Sequence, residues 1–335
     1  MIMGADLTTI WAFIIAFAVL MYVVMDGFDL GIGILFPFYR PGEERDQAMN
    51  SIAPVWDGNE TWLVLGGGGL FAAFPLAYAI ILPATYPLIM AMMLGLVFRG
   101  VAFEFRWRDP SHRAFWDMAF FGGSLVAAFS QGVVLGALLQ GIHVVGRAYD
   151  GDWLSWLSPY SLMTGVCVVC GYALLGACYL ALKTEGSAET RAYGHARLAA
   201  LTTLALMAAV SLATPFLAAQ YFQRWFAAPL LWYLLPVPAV TGLVAVLLLK
   251  GLSERRAARS FLLALALFVL GAIGLGVSMW PYVVPQSVTI WEAAAPERSQ
   301  MFMLIGVALV MPLILAYTGW AYWVFRGKVG THGYH

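Results

Sequence analysis

The stretch Leu7–Met25 reads LTTIWAFIIAFAVLMYVVM and contains no charged residue over 19 positions. A helix needs about 20 apolar residues to cross the roughly 30 Å hydrocarbon core of a bilayer, so this stretch predicts a membrane-spanning helix. It continues into MDGFDLGIG at Met25–Gly33, not into a small-residue cleavage site, and no basic segment precedes it. We therefore expect a retained helix over residues 8–36 and not a cleavable signal peptide.

Long stretches without a charged residue recur along the chain and predict further spans. They cover Thr61–Phe98, Met118–Ile142, Trp153–Leu182, Leu198–Gln223, Trp225–Leu249, Ser260–Trp291 and Ser299–Phe325. The first of these has 38 residues, enough for two spans, and Pro83 and Pro87 mark the predicted reversal between them. The predicted helices lie near residues 8–36, 58–82, 84–105, 114–140, 160–182, 196–222, 228–249, 258–281 and 301–325.

The composition agrees with a membrane protein. Of 335 residues, 62% are hydrophobic and only 11% are charged, whereas soluble domains carry roughly 25% charged residues. So few charges cannot cover a soluble surface, and the composition also excludes disorder, a collagen-like chain and a disulfide scaffold. The stretches do not alternate in polarity, which excludes a transmembrane β-barrel. We expect one integral membrane domain over residues 1–335, all-α, with about nine transmembrane helices.

The basic residues predict the orientation, because cytoplasmic loops carry an excess of lysine and arginine. One side of the predicted bundle holds Arg40, Arg45, Arg106, Arg108, Arg113, Lys183, Arg191, Arg197, Lys250, Arg255, Arg256, Arg259, Arg326 and Lys328. The other side holds only Arg147, Arg224 and Arg298. This asymmetry places the N-terminus outside and the C-terminus in the cytoplasm, and it supports the count of nine spans.

Ionisable residues inside the predicted helices are the strongest functional signal, because a charge in a bilayer is costly and needs a partner or a function. The first four predicted helices carry, in chain order, Asp26, Asp29, Asp57, Glu60, Arg99, Glu104 and Asp117. At 1.5 Å per residue, Asp26 lies roughly 27 Å along the first helix, near its inner end. The others lie in first or last turns on the same side, so we expect them to converge in the cytoplasmic half.

Two interpretations of this convergence remain open. In the first, the residues form a structural ion-pair network in which Arg99 neutralises Asp29 or Asp57 and the other acids reach the inner interface. In the second, they form a proton entry path, because six acids exceed what one arginine can pair and an unpaired acid can load and release protons. Both can hold, with Arg99 and one or two acids as a lock and with Asp57 and Glu60 as a relay.

Other polar residues give weaker signals. Cys167 and Cys170 share a helix face and Cys178 follows, but no second pair completes a metal site. A haem carrier needs axial ligands within its spans. The predicted helices offer no histidine at mid-span, since the chain places its imidazoles in loops, at helix ends or in the tail, at His112, His143, His195, His332 and His335. We therefore expect no metal site in this chain and expect the chain alone to be a poor haem carrier, although its 15 methionines remain possible ligands.

Five segments carry a resemblance to a known family. They are MDGFDLGIG at Met25–Gly33, NSIAPVWDGNETWL at Asn50–Leu63, LFAAFPLAY at Leu70–Tyr78, FRGVAFEFR at Phe98–Arg106 and LAYTGWAYWVFR at Leu315–Arg326. These segments closely resemble subunit II of bacterial cytochrome bd quinol oxidase, and the resemblance covers nearly the whole chain. The short length and the form VVMDGFDLGIGILFPF are similar to the cyanide-insensitive branch.

The resemblance implies two four-helix bundles plus one peripheral helix in a haem-free subunit that is not catalytic alone. It implies a partner, subunit I, that carries the b-type haems and the d-type haem. The complex would oxidise quinol, with ubiquinol as the expected substrate, and reduce dioxygen to water with cytoplasmic protons and without pumping. It implies a bacterial inner-membrane location in contact with membrane lipid. A structural quinone in this chain and small single-helix accessory subunits are further expectations; a nucleic-acid partner is not expected.

The resemblance also implies roles for individual residues. Asp57, in the WDGN motif, matches an acid associated with a proton route into subunit I. Asp29 and Arg99 match positions linked to keeping the haem centre assembled. We add the neighbouring candidates to these roles: the predicted proton path contains Asp57, Glu60, Asp26 and Glu104, and the predicted lock contains Asp29, Arg99, Trp56 and Asp117.

Two other classes of protein remain as alternatives. An ion-coupled secondary transporter would also have about nine spans with buried acids, but its acids would lie at the midplane between matched broken helices. A purely structural membrane scaffold is the other alternative.

Overall fold

The computed structural model describes residues 6–329, and nearly all of its regular structure is helical. The helices are α1 (Leu7–Leu35), α2 (Glu43–Ile52), α3 (Trp56–Ala73), α4 (Pro75–Arg108), α5 (Arg113–Gln140), α6 (Pro159–Lys183), α7 (Gly186–Ala213), α8 (Ala219–Phe226), α9 (Leu230–Leu234), α10 (Pro236–Ser253), α11 (Ala257–Met279), α12 (Ile290–Ala293) and α13 (Glu297–Val324). Two small antiparallel hairpins pair β1 (Val144–Val145) with β2 (Ala148–Tyr149) and β3 (Tyr282–Val284) with β4 (Val288–Thr289).

Eight helical segments of residues 6–329 are long and apolar enough to cross a membrane. They are Leu7–Phe38, Pro75–Arg108, Pro110–Gln140, Pro159–Lys183, Gly186–Phe216, Leu230–Ser253, Ala257–Met279 and Glu297–Val324. This confirms the prediction of an all-α polytopic membrane protein.

The predicted reversal at Pro83 and Pro87 is wrong. Helix α3 ends at Ala73, and the chain leaves helical geometry at Phe74, with φ −129° and ψ 62°. Helix α4 then runs for 34 residues through both prolines, and only Thr85 departs from helical angles. A proline inside a helix kinks it without ending it when the freed backbone groups find other partners. In the kinked turn the Thr85 hydroxyl donates to the Ile81 carbonyl at 2.7 Å, a threonine bond to the carbonyl four residues earlier of the kind that bends helices.

This correction changes the two predicted helices that share the boundary. The predicted segment 58–82 corresponds to α3, which has only 18 residues and is not among the eight apolar segments. The predicted segment 84–105 corresponds to the second part of α4. A further difference is α7, which begins at Gly186 and not near residue 196. Its first turns contain Glu189 and Arg191, and because these turns are polar the sequence predicts a loop there.

Helix α1 lies at the centre of the packing. Its residues from Asp26 to Leu35 are all buried, on every side of the helix. A helix buried all round needs neighbours on each face, and α3, α5 and α6 supply them. Helix α3 runs antiparallel to α1, since Gly69 lies against Ile15 while Asn59 contacts Asp29. The start of α3 is therefore placed beside the buried half of α1.

Candidate functional site

Arg99 on α4 joins α1 to α3 through two ion pairs. Its Nη1 donates to Asp26 Oδ1 at 2.6 Å, and its Nη2 donates to Glu60 Oε2 at 2.6 Å. The side chains of Arg99 and Asp26 are fully buried, whereas that of Glu60 is 30% exposed. The two ion pairs of Arg99 therefore extend from the interior of the bundle, at Asp26, to its surface, at Glu60.

Asp29 lies beside this pair but takes its hydrogen bond from an amide. Asn59 Nδ2 donates to Asp29 Oδ2 at 2.8 Å and to the Met25 carbonyl at 3.3 Å. The expectation that Arg99 neutralises Asp29 or Asp57 is wrong, because both of its amino groups are taken by other carboxylates. We call Asp26, Asp29, Asn59, Glu60 and Arg99 the Arg99 cluster.

The Arg99 cluster contains more acid than base. It has three carboxyl groups but one guanidinium, which contacts Asp26 and Glu60, while Asp29 accepts from Asn59. Three of its buried atoms, Asp26 Oδ2, Asp29 Oδ1 and Arg99 Nε, have no hydrogen-bond partner. Buried charges are costly unless they are paired. The carboxyl groups of the cluster therefore exceed the positive charge that contacts them.

Trp56 covers one side of the cluster. Its ring stacks on Phe103 with centroids 4.7 Å apart, and the Arg99 guanidinium carbon lies 6.0 Å from the centroid of the indole ring. An arginine above an indole face gains a cation–π contact, worth about 0.5–2 kcal/mol. Trp56 therefore contacts Arg99 at the cluster, and its role in the lock stays a prediction.

Two residues of the predicted proton path lie apart from the cluster. Asp57 is exposed, although it shares a helix turn with Glu60. Glu104 is 63% exposed and pairs with Arg108 at 3.2 Å. The structure therefore brings Asp26 and Glu60 together but leaves Asp57 and Glu104 on the surface of this chain.

Asp117 belongs to a second centre, which we call the Arg106 cluster. Arg106 Nε donates to Asp117 at 2.5 Å, and its Nη1 donates to Asp46 at 2.8 Å. Arg45 adds a bond to Asp117 at 2.7 Å, and Arg113 adds one to Asp46 at 2.5 Å. These bonds attach α2 to the end of α4 and the start of α5. Asp117 is therefore paired with Arg45 and Arg106 and not with Arg99, and its role in the lock stays a prediction.

The sequence did not identify Arg106, because it falls in a segment assigned to a basic loop. The residue is 1% exposed, and its guanidinium carbon lies 5.4 Å from the Phe36 ring centroid and 5.0 Å from that of Trp107. The neighbouring aromatic residues in the sequence could have indicated a buried arginine, because a guanidinium stacks well on aromatic rings.

Glu44 fastens α2 to the start of α7. It accepts hydrogen bonds from the Arg40 N–H at 2.9 Å, the Ser187 hydroxyl at 2.8 Å and Arg191 Nε at 3.1 Å. Burial by itself raises the pKa of Glu44, but these hydrogen bonds outweigh it and leave the pKa below its usual value. The ionised carboxylate is therefore the form that the fold prefers.

We expect Glu44→Gln to destabilise the protein by about 1–2 kcal/mol at neutral pH, because hydrogen bonds to a charged group are lost. The folded pKa is lowered, so the contribution of Glu44 is present above the unfolded pKa of about 4.3 and is lost as the pH falls through the folded value. Thermal unfolding in detergent from pH 7 downward should show the difference between variant and parent shrinking. Glu43→Gln, at an exposed neighbour, is the control; a difference that stays constant with pH contradicts the prediction.

Metal ligands are not grouped in this fold. Within residues 6–329, no group of three or more His, Cys, Asp or Glu side chains could hold a metal ion. Cys167, Cys170 and Cys178 are free thiols. His332 and His335 lie outside the described residues.

The fold and the Arg99 cluster define a polytopic helical membrane protein in which the helices of the first third of the chain enclose an ion-pair centre. The chain matches the family model described as cytochrome bd terminal oxidase subunit II over residues 7–325. It belongs to that family, which confirms the resemblance seen in the sequence.

Individual relatives agree with this assignment. The chain is 31% identical to cytochrome bd-I ubiquinol oxidase subunit 2 of Escherichia coli (strain K12), over 96% of this chain and 94% of that protein. It is 28% identical to cytochrome bd ubiquinol oxidase subunit 2 of Bacillus subtilis (strain 168), over 97% of each. Its fold is similar to a chain in the structure of bd oxidase from Geobacillus thermodenitrificans, with a TM-score of 0.74 and 18% identity over 95% of this chain and 98% of that one.

Family membership makes the chain a subunit of a bd-type oxidoreductase complex in the inner membrane. It implies a partner subunit I and a complex in which haem and quinol take part. Because the chain belongs to this oxidase family, it is not assigned to the secondary transporters.

Proposed function

We propose that this chain is the haem-free second subunit of a quinol:oxygen oxidoreductase, in which it stabilises the haem-bearing subunit I and conducts cytoplasmic protons towards it. The observation that carries this proposal is the makeup of the Arg99 cluster, where Asp26 and Glu60 contact one guanidinium and a third carboxyl group, Asp29, is hydrogen-bonded to Asn59 beside them. In the complex, the haems of the partner supply the electron transfer to dioxygen. Within residues 6–329, no histidine lies in the Arg99 cluster, so the residues there do not fit a haem.

Proton uptake would begin at Glu60. Its side chain is 30% exposed, while its carboxylate contacts the buried Arg99. A proton on Glu60 would weaken that ion pair, and the guanidinium would then be free to move towards Asp29, whose Oδ1 has no partner. Asp26 keeps Arg99 in the bundle during this exchange. The residues thus offer alternative partners for one positive charge, which is what a proton relay through a buried site requires.

The same cluster would serve as the lock. Arg99, Asp26 and Glu60 join α1, α3 and α4, and Asn59 ties Asp29 to the start of α3. Loss of these bonds would leave buried charges without partners. We propose that the lock and the relay use the same carboxyl groups, with Trp56 and the Arg106 cluster as supports. Asp57 and Glu104 keep their predicted place on the path as surface groups that would deliver protons to Glu60.

The test is Glu60→Gln in the intact complex. We expect quinol oxidase turnover to fall about tenfold or more, equivalent to about 1.4 kcal/mol in the barrier, with haem absorption retained. Glutamine keeps the size and the hydrogen bond to Arg99 but cannot carry a proton. Glu185→Gln, which removes an exposed acid at the start of α7, is the matched control and should leave turnover unchanged.

Asp57→Asn in the same complex decides the role of Asp57. Loss of turnover with haems retained places Asp57 on the path, loss of haem makes it part of the lock, and unchanged turnover removes it from both. For Glu60→Gln, unchanged turnover contradicts the relay.

We further propose that the N-terminus lies outside and the C-terminus in the cytoplasm, as the arginine and lysine distribution predicts. The Arg106 cluster and Lys183 would then lie at the cytoplasmic end. Ubiquinol as the substrate, a structural quinone in this chain, single-helix accessory subunits and the cyanide-insensitive branch stay predictions of the resemblance.

A further inference from the structure

The last long helix, α13, reaches the Arg99 cluster through one side chain. Tyr322 Oη donates to Asn59 Oδ1 at 2.9 Å, and the Asn59 amide group donates to Asp29 Oδ2 at 2.8 Å. Asn59 is only 1% exposed, and both polar atoms of its side chain have partners. A chain of three polar side chains therefore runs from Tyr322 to the carboxyl group that Arg99 does not contact.

We propose that Tyr322 is a positioning residue for Asp29: its hydroxyl holds the Asn59 amide with the NH2 group towards Asp29 and thereby favours the ionised form of that carboxyl group. This inference rests on the proposed proton path, in which the Arg99 guanidinium moves from Glu60 towards Asp29 when Glu60 takes up a proton.

The orientation of the amide carries the argument. With its NH2 group towards Asp29, the amide stabilises a carboxylate, which only accepts hydrogen bonds. With its oxygen towards Asp29, it would stabilise a protonated carboxyl group, which donates one. The Met25 carbonyl, which only accepts, selects the first orientation, and the Tyr322 hydroxyl supplies the donor that the amide oxygen then needs. Without the hydroxyl, Asn59 Oδ1 would be a buried acceptor with no donor, and turning the amide towards a protonated Asp29 would restore its partner.

The charged groups near Asp29 lie on α1, α3 and α4, and aromatic side chains of α6 and α11 pack on Phe28, the residue before Asp29. Asp26 on α1, Glu60 on α3 and Arg99 on α4 supply the charges. These lie on elements other than α13, so a change at Tyr322 leaves them in place. Helices α6 and α11 approach with Tyr179 and Phe261, which pack against the Phe28 ring, and α5 packs on α1 further along, where Ser124 lies against Gly33.

Tyr322 packs edge-on against Phe28 of α1, with ring centroids 6.5 Å apart, and the end of α13 beyond it is tied to α6. Of the 28 residues of that helix, only Gln300, near its start, is fully buried. Just after Tyr322, the Lys183 ammonium donates to the carbonyls of Phe325 and Gly327. Lys183 thus attaches the end of α13 to the end of α6 and fixes the height at which Tyr322 meets Asn59.

The experiment uses the purified intact complex with Tyr322→Phe. The infrared carbonyl band of protonated carboxyl groups is followed against pH, and the part that Asp29→Asn removes is assigned to Asp29. We expect the titration midpoint of that band to rise by about one pH unit, a tenfold change in proton affinity. The alkaline limb of the turnover profile should move in the same direction.

Tyr317→Phe is the matched control, because Tyr317 lies on the same helix and is 71% exposed; its midpoint should equal that of the parent. Lys183→Met should shift the midpoint in the same direction by less, and it replaces Tyr322→Phe if that variant does not assemble. The inference is overturned if the midpoint is unchanged in Tyr322→Phe, or in Lys183→Met where that variant replaces it. It is also overturned if Tyr317→Phe shifts the midpoint by the same amount. If Asp29→Asn keeps full turnover, the proposed proton path through Asp29 fails, while the infrared midpoint still decides the role of Tyr322.

Discussion

Arg99→Met is expected to lower the thermal unfolding midpoint of the purified complex by about 10 °C and to remove most of its haem absorption. Arg99 is the cation that both Asp26 and Glu60 contact, at 2.6 Å each. Removing one partner of a buried ion pair costs about 3–5 kcal/mol, and a change of 1 kcal/mol moves the midpoint by about 2–4 °C in larger domains. Methionine keeps most of the apolar stem, so the loss reports on the charge.

Two variants separate the charge from its geometry. Arg99→Lys keeps the positive charge but cannot donate to Asp26 and Glu60 through two planar amino groups, so we expect partial retention of haem and turnover. Arg108→Met removes an arginine that is 75% exposed on the same helix and should behave as the parent. A normal haem spectrum and midpoint in Arg99→Met would show that the three carboxyl groups are already neutral, and the lock would then have no basis.

The sequence predicted most of the helices because a long run without charges permits little else in a bilayer. It placed the boundary between α3 and α4 wrongly, at Pro83 and Pro87, because proline is a strong breaker signal and the residue pattern does not show whether a helix continues through a kink. Here the departure from helical angles is confined to Thr85, whose hydroxyl donates to the Ile81 carbonyl. The polar first turns of α7 were assigned to a loop for a related reason: Arg191 is held by Glu44, from a distant part of the chain.

The sequence predicted that seven ionisable residues converge, and the structure brings four of them together, with a pairing that the sequence did not predict: Asp26, Asp29, Glu60 and Arg99. Helical spacing placed Asp57 and Glu60 on one face, yet residues three apart differ by about 60° around the axis. That angle is enough for Glu60 to contact Arg99 while Asp57 is exposed. Spacing along one helix does not fix the rotation of that helix against its neighbours, and this rotation decides which acid Arg99 binds. Arg106 was missed because a basic residue near a helix end usually lies in solvent.

Gly31→Ala is expected to disrupt the contact between α1 and α6, on which the position of Asp29 depends. A Cβ atom at Gly31 would lie 1.8 Å from the Tyr172 carbonyl oxygen and 2.9 Å from the Gly176 nitrogen. These are backbone atoms, so no side chain can turn away and the helices themselves must separate. Overpacking of this kind costs about 1–3 kcal/mol and sometimes more, and we expect at least the upper value. Asp29 lies two residues earlier on α1, so its bond to Asn59 should weaken as well.

The measurement is the thermal unfolding midpoint of the complex together with its turnover, compared with Gly271→Ala on α11. A Cβ atom at Gly271 meets nothing within 4 Å in this chain, and alanine is the better helix former by about 1 kcal/mol, so the control should be neutral or slightly stabilising. Gly31→Ala should fall well below both the parent and this control. If its midpoint matches that of Gly271→Ala, the close approach of α1 and α6 does not hold Asp29 in place, and the cluster must be positioned by α3 and α4 alone.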